Sequence, residues 1–245
     1  MGRDETGMNR AGARRVGSRV KPMVVAGPKV MGEKQREALE LVHRFGVMSV
    51  SQVHALVWPD KTRDRARLVL TELAADGYLV ALRTGLPDAG VVYRSTSRAQ
   101  RVLDSAIQPT RMGPPLIPHA LAVATIAVRL LAAHPGTSWE SEREIRSKMG
   151  KVDTRGPRAH VPDGVLEYPD GRRVAVEVDL TRKEAARVAK IFDGLMRSAY
   201  TTMEWYAVSA RHRQLILEQR RKWTFDPDPE KVVKAEAVTV QAWSW

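Results

Sequence analysis

His160-Val161-Pro162-Asp163-Gly164-Val165-Leu166, followed closely by Val174-Ala175-Val176-Glu177-Val178-Asp179, spells a β-hairpin that carries three acids. Pro162-Asp163-Gly164 enters a short apolar run, and Asp170-Gly171 is a strong two-residue turn signal. Side chains alternate along a strand, so Val174, Val176 and Val178 share one face while Ala175, Glu177 and Asp179 share the other. The turn folds Asp163 back beside them. Strand interiors seldom hold acids, and three convergent carboxylates repel unless cations offset them. An oxygen-rich cluster of this kind suits Mg²⁺ or Mn²⁺. An ordinary hairpin whose acids pair with the chain's many arginines accounts for the same residues.

The 245 residues suffice for one large domain or two small ones. Lys and Arg number 40 against 28 Asp and Glu, a net charge of +12 that favours a polyanionic partner. No apolar run is expected to approach the roughly 20 residues that span a bilayer, and no leader of the secretory type opens the sequence. The absence of Cys excludes disulfides and cysteine zinc sites and fits a cytoplasmic setting. There is no His-Glu-x-x-His spacing and no Gly-x-x-x-x-Gly-Lys-Ser/Thr loop, which argues against a zinc protease and a P-loop ATPase.

Residues 1–31 read as a disordered basic tail, rich in Arg with Gly, Asn and Ser and without apolar period. From residue 33 the helical period begins: Ala38, Leu41, Val42 and Phe45 fall on one face, and Gly46 ends the helix. Ser49 or Ser51 caps a second short helix. A third runs over about residues 62–76, with Ala66, Val69, Leu70, Leu73 and Ala74 inward and Asp76-Gly77 closing it. Strands follow at 78–82 and 91–95, then a helix over 98–107. Three short helices and a two-stranded hairpin over residues 32–107 are the layout of a winged helix-turn-helix. In that motif the N-terminal residues of the third helix meet base edges in the major groove. Lys61, Arg63, Arg65 and Arg67 crowd that position, and Arg83 and Arg94 fall on the wing. Winged helices also bind proteins, but the +12 charge favours DNA.

The Pro-rich stretch 108–118 reads as a linker to a second domain over 119–245. Residues 119–133 form a helix apolar nearly all round, hence buried, with His119 near its start in a structural role. A strand is expected near 137–140, bringing Glu140 and Glu142 toward the acidic hairpin. The loop 150–159 carries Lys151, Arg155 and Arg158. A helix over about 183–198 buries Val188, Ile191, Phe192 and Leu195 and shows a stripe of Lys183, Arg187, Lys190 and Arg197. A strand at 201–209, a basic helix at 211–223 and a last strand near Trp243 and Trp245 complete the chain.

The second half resembles the PD-(D/E)XK nuclease superfamily, in which the Asp of a Pro-Asp pair and the Glu of a Glu-X-Lys hold a divalent ion. Pro162-Asp163 fits the first half of that pattern and Glu177-Val178-Asp179 the second, with Asp179 standing in the lysine position. Lys183, four residues on, is the candidate for the missing cation. The resemblance implies an α+β fold: a winged helix-turn-helix followed by an αβββαβ nuclease-like domain. Together the two halves closely resemble the replication-relaxation family of plasmids, integrative elements and phages, over roughly residues 33–209. The distinctive part is Pro162-Asp163-Gly164 with Val176-Glu177-Val178-Asp179-Leu180-Thr181, then Lys183 and Arg187.

This resemblance implies sequence-specific binding of double-stranded DNA in replication, relaxation or mobilisation of a mobile element, through Lys61, Arg63, Arg65, Arg67, Arg83, Arg94 and Arg187. Two further readings stay open. One is an endonuclease or nickase in which Asp163, Glu177 and Asp179 bind Mg²⁺ or Mn²⁺ and Asp179 or Lys183 orients or deprotonates the attacking water. The other is a transcriptional repressor or adaptor that recruits a relaxase or replication initiator. In that case the second domain serves as a retired scaffold for homodimerisation or partner binding.

Overall fold

Helix α1 (Glu33–Phe45) buries Ala38, Leu39, Val42, His43 and Phe45 in the computed structural model, which describes residues 31–86, 89–149 and 160–243. Leu39 occupies the inward position that the apolar period gave to Leu41, which is only half-buried. Gly46, at φ 83°, ends the helix and sends its N–H to the Val42 carbonyl. The stretch 1–30 of the expected basic tail, Pro87-Asp88, the stretch 150–159 with Lys151, Arg155 and Arg158, and Ser244-Trp245 lie outside the described residues.

Strand β1 (Val47–Ser49) follows at once and leads into α2 (Val50–Val57). Ser49, not Ser51, caps α2. Its hydroxyl accepts the Gln52 N–H, and the Gln52 side chain takes the Ser49 N–H in return. Helix α3 (Arg63–Ala75) turns Ala66, Val69, Leu70 and Leu73 inward. Strands β2 (Leu79–Arg83) and β3 (Val91–Ser95) form the hairpin, and β1 pairs on the far side of β3, giving an antiparallel sheet of order β1-β3-β2. Helix α4 (Ser97–Leu103) stops short of Ile107 because Asp104 adopts the left-handed conformation at φ 49°.

A short 3-10 turn, Pro114–Leu116, opens α5 (Ile117–Ala133). The stretch Pro114–Ala133 is 20 residues long with a mean hydropathy of 1.9, so one helix is long and apolar enough to cross a membrane by length and composition, contrary to the expectation from sequence. In this fold it packs against α2, β1, β5 and β6. Next come β4 (Ser138–Ser141), α6 (Glu142–Lys148), β5 (Gly164–Glu167), β6 (Arg173–Asp179), α7 (Ala185–Met196) and β7 (Thr202–Ala207). Helices α8 (Ala210–Trp223) and α9 (Pro229–Glu236) and strand β8 (Thr239–Ala242) end the chain. The five strands lie in the order β4-β5-β6-β7-β8, antiparallel from β4 to β6 and parallel from β6 to β8.

The hairpin register pairs Gly164 with Val176, Val165 with Ala175 and Leu166 with Val174. Gly171, at φ 83°, makes the turn. On one face of the sheet Ala175, Met203, Trp205 and Ala207 meet Val188, Ile191, Phe192 and Leu195 of α7 and Ile216 of α8.

Gly32–Trp245 form one compact unit, and its two halves bond directly. Arg44 of α1 donates to Glu144 Oε1 at 2.8 Å and to the Trp139 carbonyl. Arg143 of α6 donates to the carbonyls of His43 and Gln108. Gln52 of α2 donates to the Leu121 carbonyl at 2.7 Å and to Thr125 Oγ1 at 2.8 Å, both on α5. Phe45 stacks on Trp139, with ring centroids 6.3 Å apart.

Gly164 is required by this packing rather than by its turn conformation. A Cβ there would lie 2.0 Å from Trp139 Cζ2, an indole only 4% exposed. Forcing atoms into a filled core costs about 1–3 kcal/mol, and a fixed indole ring has little room to yield. Gly164→Ala is therefore expected to lower stability by about 3 kcal/mol, read as a lower denaturation midpoint at unchanged slope.

Candidate functional site

The end of β6 buries two acids, Glu177 at 2% and Asp179 at 3% exposure, on the central strand of the larger sheet. An ionised carboxylate taken from water needs hydrogen-bond donors or cations close by. Four parts of the chain supply them. His160, just ahead of β5, meets Glu177 Oε1 through Nε2. Lys183, in the loop after β6, contacts Asp179 Oδ1 and lies 3.7 Å from Glu177 Oε2. Trp205 of β7 donates its indole N–H to Asp179 Oδ2 at 2.8 Å, and His212 of α8 donates to the same oxygen at 2.7 Å. Helix α7 passes close to His160 because residue 194 is Gly: a Cβ there would lie 2.9 Å from His160 Cβ.

Asp163 lies one residue before β5, where the register extended by one step places it opposite Glu177. Its carboxylate does not join Asp179. Oδ2 accepts the Val178 N–H at 2.8 Å and lies 3.3 Å from His119 Nε2. That nitrogen is also 3.0 Å from the Val178 carbonyl. Both of its neighbours are acceptors, so His119 Nε2 carries the proton. His119 thus ties the start of α5 to the acid end of the hairpin.

The electrostatics follow from this arrangement. Burial pushes Glu177 up, and the charge of Asp163 adds to the shift, while His160 and Lys183 partly offset it. Burial also opposes ionisation of Asp163, but the hydrogen bond and charge of His119 outweigh it and hold Asp163 below the usual carboxylate range. His119 is pushed up to about 9, chiefly by its bond to Asp163. Burial alone would lower Lys183, but the charges of Glu177 and Asp179 prevail and raise it.

Three of the expected catalytic residues, Glu177, Asp179 and Lys183, thus come together, and Asp163 stands beside them through Val178. The donor set does not fit a divalent ion. Among the described residues no group of three or more His, Asp or Glu is placed to hold a metal. Asp163 Oδ2, Glu177 Oε1 and both Asp179 oxygens are committed to nitrogen donors within the chain. Asp163 Oδ2 thus faces Val178 and His119, while Glu177 and Asp179 face Lys183. Glu140 and Glu142 stay apart from the cluster. Glu140 binds Arg173 at 2.6 Å and Lys148 at 2.5 Å, and Glu142 binds Arg146 at 2.6 Å.

His160, His119 and His212 are the partners that sequence reasoning missed or left in a generic structural role. His160 sits two residues ahead of Pro162-Asp163, a usable signal. His212 carries none, because only the tertiary fold brings α8 to Asp179.

The basic residues fall into two groups. Lys61, Arg63, Arg65 and Arg67 are all exposed at the N-terminal end of α3, with Arg67 paired to Asp64. Arg83 is exposed on β2. Arg94 is half-buried on the central strand β3, opposite Val47 and Val80. Arg187 is exposed in the first turn of α7, in the other half of the chain.

Searches of curated proteins and of solved structures gave no match. A family model described as replication-relaxation matches residues 39–207. The match runs from α1 through β7, so it takes in both the helical half with α3 and the hairpin with Asp163, Glu177 and Asp179. It covers well over half of the 245 residues, and on that ground the chain belongs to the replication-relaxation family.

Proposed function

We propose that this protein binds duplex DNA in the replication, relaxation or mobilisation of a mobile genetic element, acting in the cytoplasm. The observation that carries the reading is the cluster of Lys61, Arg63, Arg65 and Arg67, exposed together at the N-terminal end of α3. Membership of the replication-relaxation family supports the mobile-element role. In this reading α1, α2, α3 and the β2-β3 hairpin are a winged helix-turn-helix, with α3 entering the major groove and Arg83 on the wing beside phosphate. The +12 charge supplies the long-range attraction.

The second half reads as a nuclease-like scaffold. Its order α5-β4-β5-β6-α7-β7, with α6 inserted after β4, follows the αβββαβ layout of the PD-(D/E)XK superfamily. Its acids are engaged by Lys183, His160, His119 and His212 rather than left for an ion. The scaffold offers a surface for a second copy of the chain, a relaxase or a replication initiator. One observation favours the alternative of a metal-dependent nickase: Lys183 reaches Glu177 and Asp179 although Asp179 fills the usual lysine position.

Two outcomes are expected. Arg63→Ala and Arg67→Ala should each weaken binding to the protein's preferred duplex by about 1–3 kcal/mol where a base contact is lost, measured by gel shift and footprinting. Unchanged affinity and footprint in both would reject α3 as the reading helix. Incubation of supercoiled DNA with Mg²⁺ or Mn²⁺ should give no more nicking than with EDTA, and the melting temperature should not rise with the ions. A metal-dependent rise erased by Glu177→Ala, with nicking lost in Asp163→Ala, would establish the nickase instead.

A further inference from the structure

The outward ridge of α3 is not basic. The helix buries Ala66, Val69, Leu70 and Leu73. With 3.6 residues per turn, the opposite ridge is Asp64, Leu68, Thr71 and Ala75, and Arg65 and Arg67 flank it on either side. Leu68 is 51% exposed in the middle of this ridge. The fold makes no use of that exposed half, since the core of the helical half closes on the other side of α3. Thr71 spends its hydroxyl on the Arg67 carbonyl at 2.8 Å, which leaves its methyl as the group it can offer outward. Ala75 is short enough for close approach. Asp64 has its charge met by Arg67.

A ridge with Leu68, Thr71 and Ala75 beyond the paired Asp64, and with Arg65 and Arg67 beside its N-terminal half, matches the floor and walls of a major groove. Long arginines reach outward to the phosphate walls, and short or apolar groups meet the base edges. Only one base carries an apolar group there, the C5-methyl of thymine. Duplex DNA supplies phosphates on both flanks, to Arg65 and, beyond its pair with Asp64, to Arg67. We propose that Leu68 is a specificity-determining residue that reads a thymine methyl in the DNA site. This inference rests on the reading of α3 as the DNA-contacting helix and adds the base class it selects.

The test removes one methyl from the DNA and one side chain from the protein. The full-length protein first selects its preferred duplex from a randomised pool, and a footprint locates the site. Each thymine in the footprint is then replaced singly by deoxyuridine, which lacks only the C5-methyl. At one position the wild-type chain should bind about fourfold more weakly, the value expected for one buried methyl group. Leu68→Ala should bind the thymine and deoxyuridine duplexes equally at that position. Because Leu68 lies outside the core, its circular dichroism and melting should match wild type.

A deoxyuridine penalty of equal size in wild type and Leu68→Ala would overturn the assignment to this residue. No penalty at any thymine would overturn methyl reading while a clear footprint leaves the DNA-binding reading standing. No footprint by the wild type at low salt would reject both. Loss of self-association or of a bound protein in Leu68→Ala, with the deoxyuridine response intact, would place Leu68 in a protein interface and overturn the proposal.

Discussion

Two carboxylates on the central strand of a five-stranded sheet must be neutralised, and the second half of the molecule is arranged around that need. Glu177 and Asp179 are almost wholly buried, so little solvent relieves their charge. The compensation is spread over the segment before β5, the loop after β6, strand β7 and helix α8, through His160, Lys183, Trp205 and His212. Such a cluster adds little net stability over an apolar core of the same shape, because desolvation cancels most of the attraction. It is nevertheless costly to break, since one missing partner strands a buried charge. The cluster therefore specifies which elements meet at the end of β6.

The same end of the hairpin holds the two halves together. His119 bonds Val178 and faces Asp163, which fixes the start of α5 against β6. Further along α5, Leu121 and Thr125 accept the Gln52 side chain from α2. On the other side Arg44 and Arg143 reach across in opposite directions to carbonyls and to Glu144. Helix α3 is thus carried on a frame whose orientation the acid-bearing sheet sets. The larger sheet thereby helps to position α3.

Local signals were legible where one segment decides the outcome. Gly46, the Ser49 cap, the inward face of α3 and the Asp170-Gly171 turn each act within a few residues, and the elements they predict are present. The hairpin alternation correctly put Glu177 and Asp179 on one face. Strand β1 escaped notice because three residues carry no period and depend on β3 for pairing. Helix α6 was missed although Ser141 and Glu144 spell a capping box. Burial of Leu39 in place of Leu41 reflects how α1 is rotated against its neighbours, which no period within α1 contains. The partners of Asp163 were illegible for a related reason. Spacing brings Asp163 near Glu177, but it does not reveal that a histidine from α5 and a backbone N–H already hold that carboxylate.

The central claim is that Lys183 serves as the built-in counter-charge of the acid cluster. Equilibrium denaturation of Lys183→Met in EDTA tests it most directly. The side chain keeps its length and loses its charge, leaving Asp179 and Glu177 short of a cation. The account predicts a loss of about 3–5 kcal/mol, as for a broken buried ion pair. Stability equal to or above that of the wild type would contradict it, because the acids would then be balanced without Lys183.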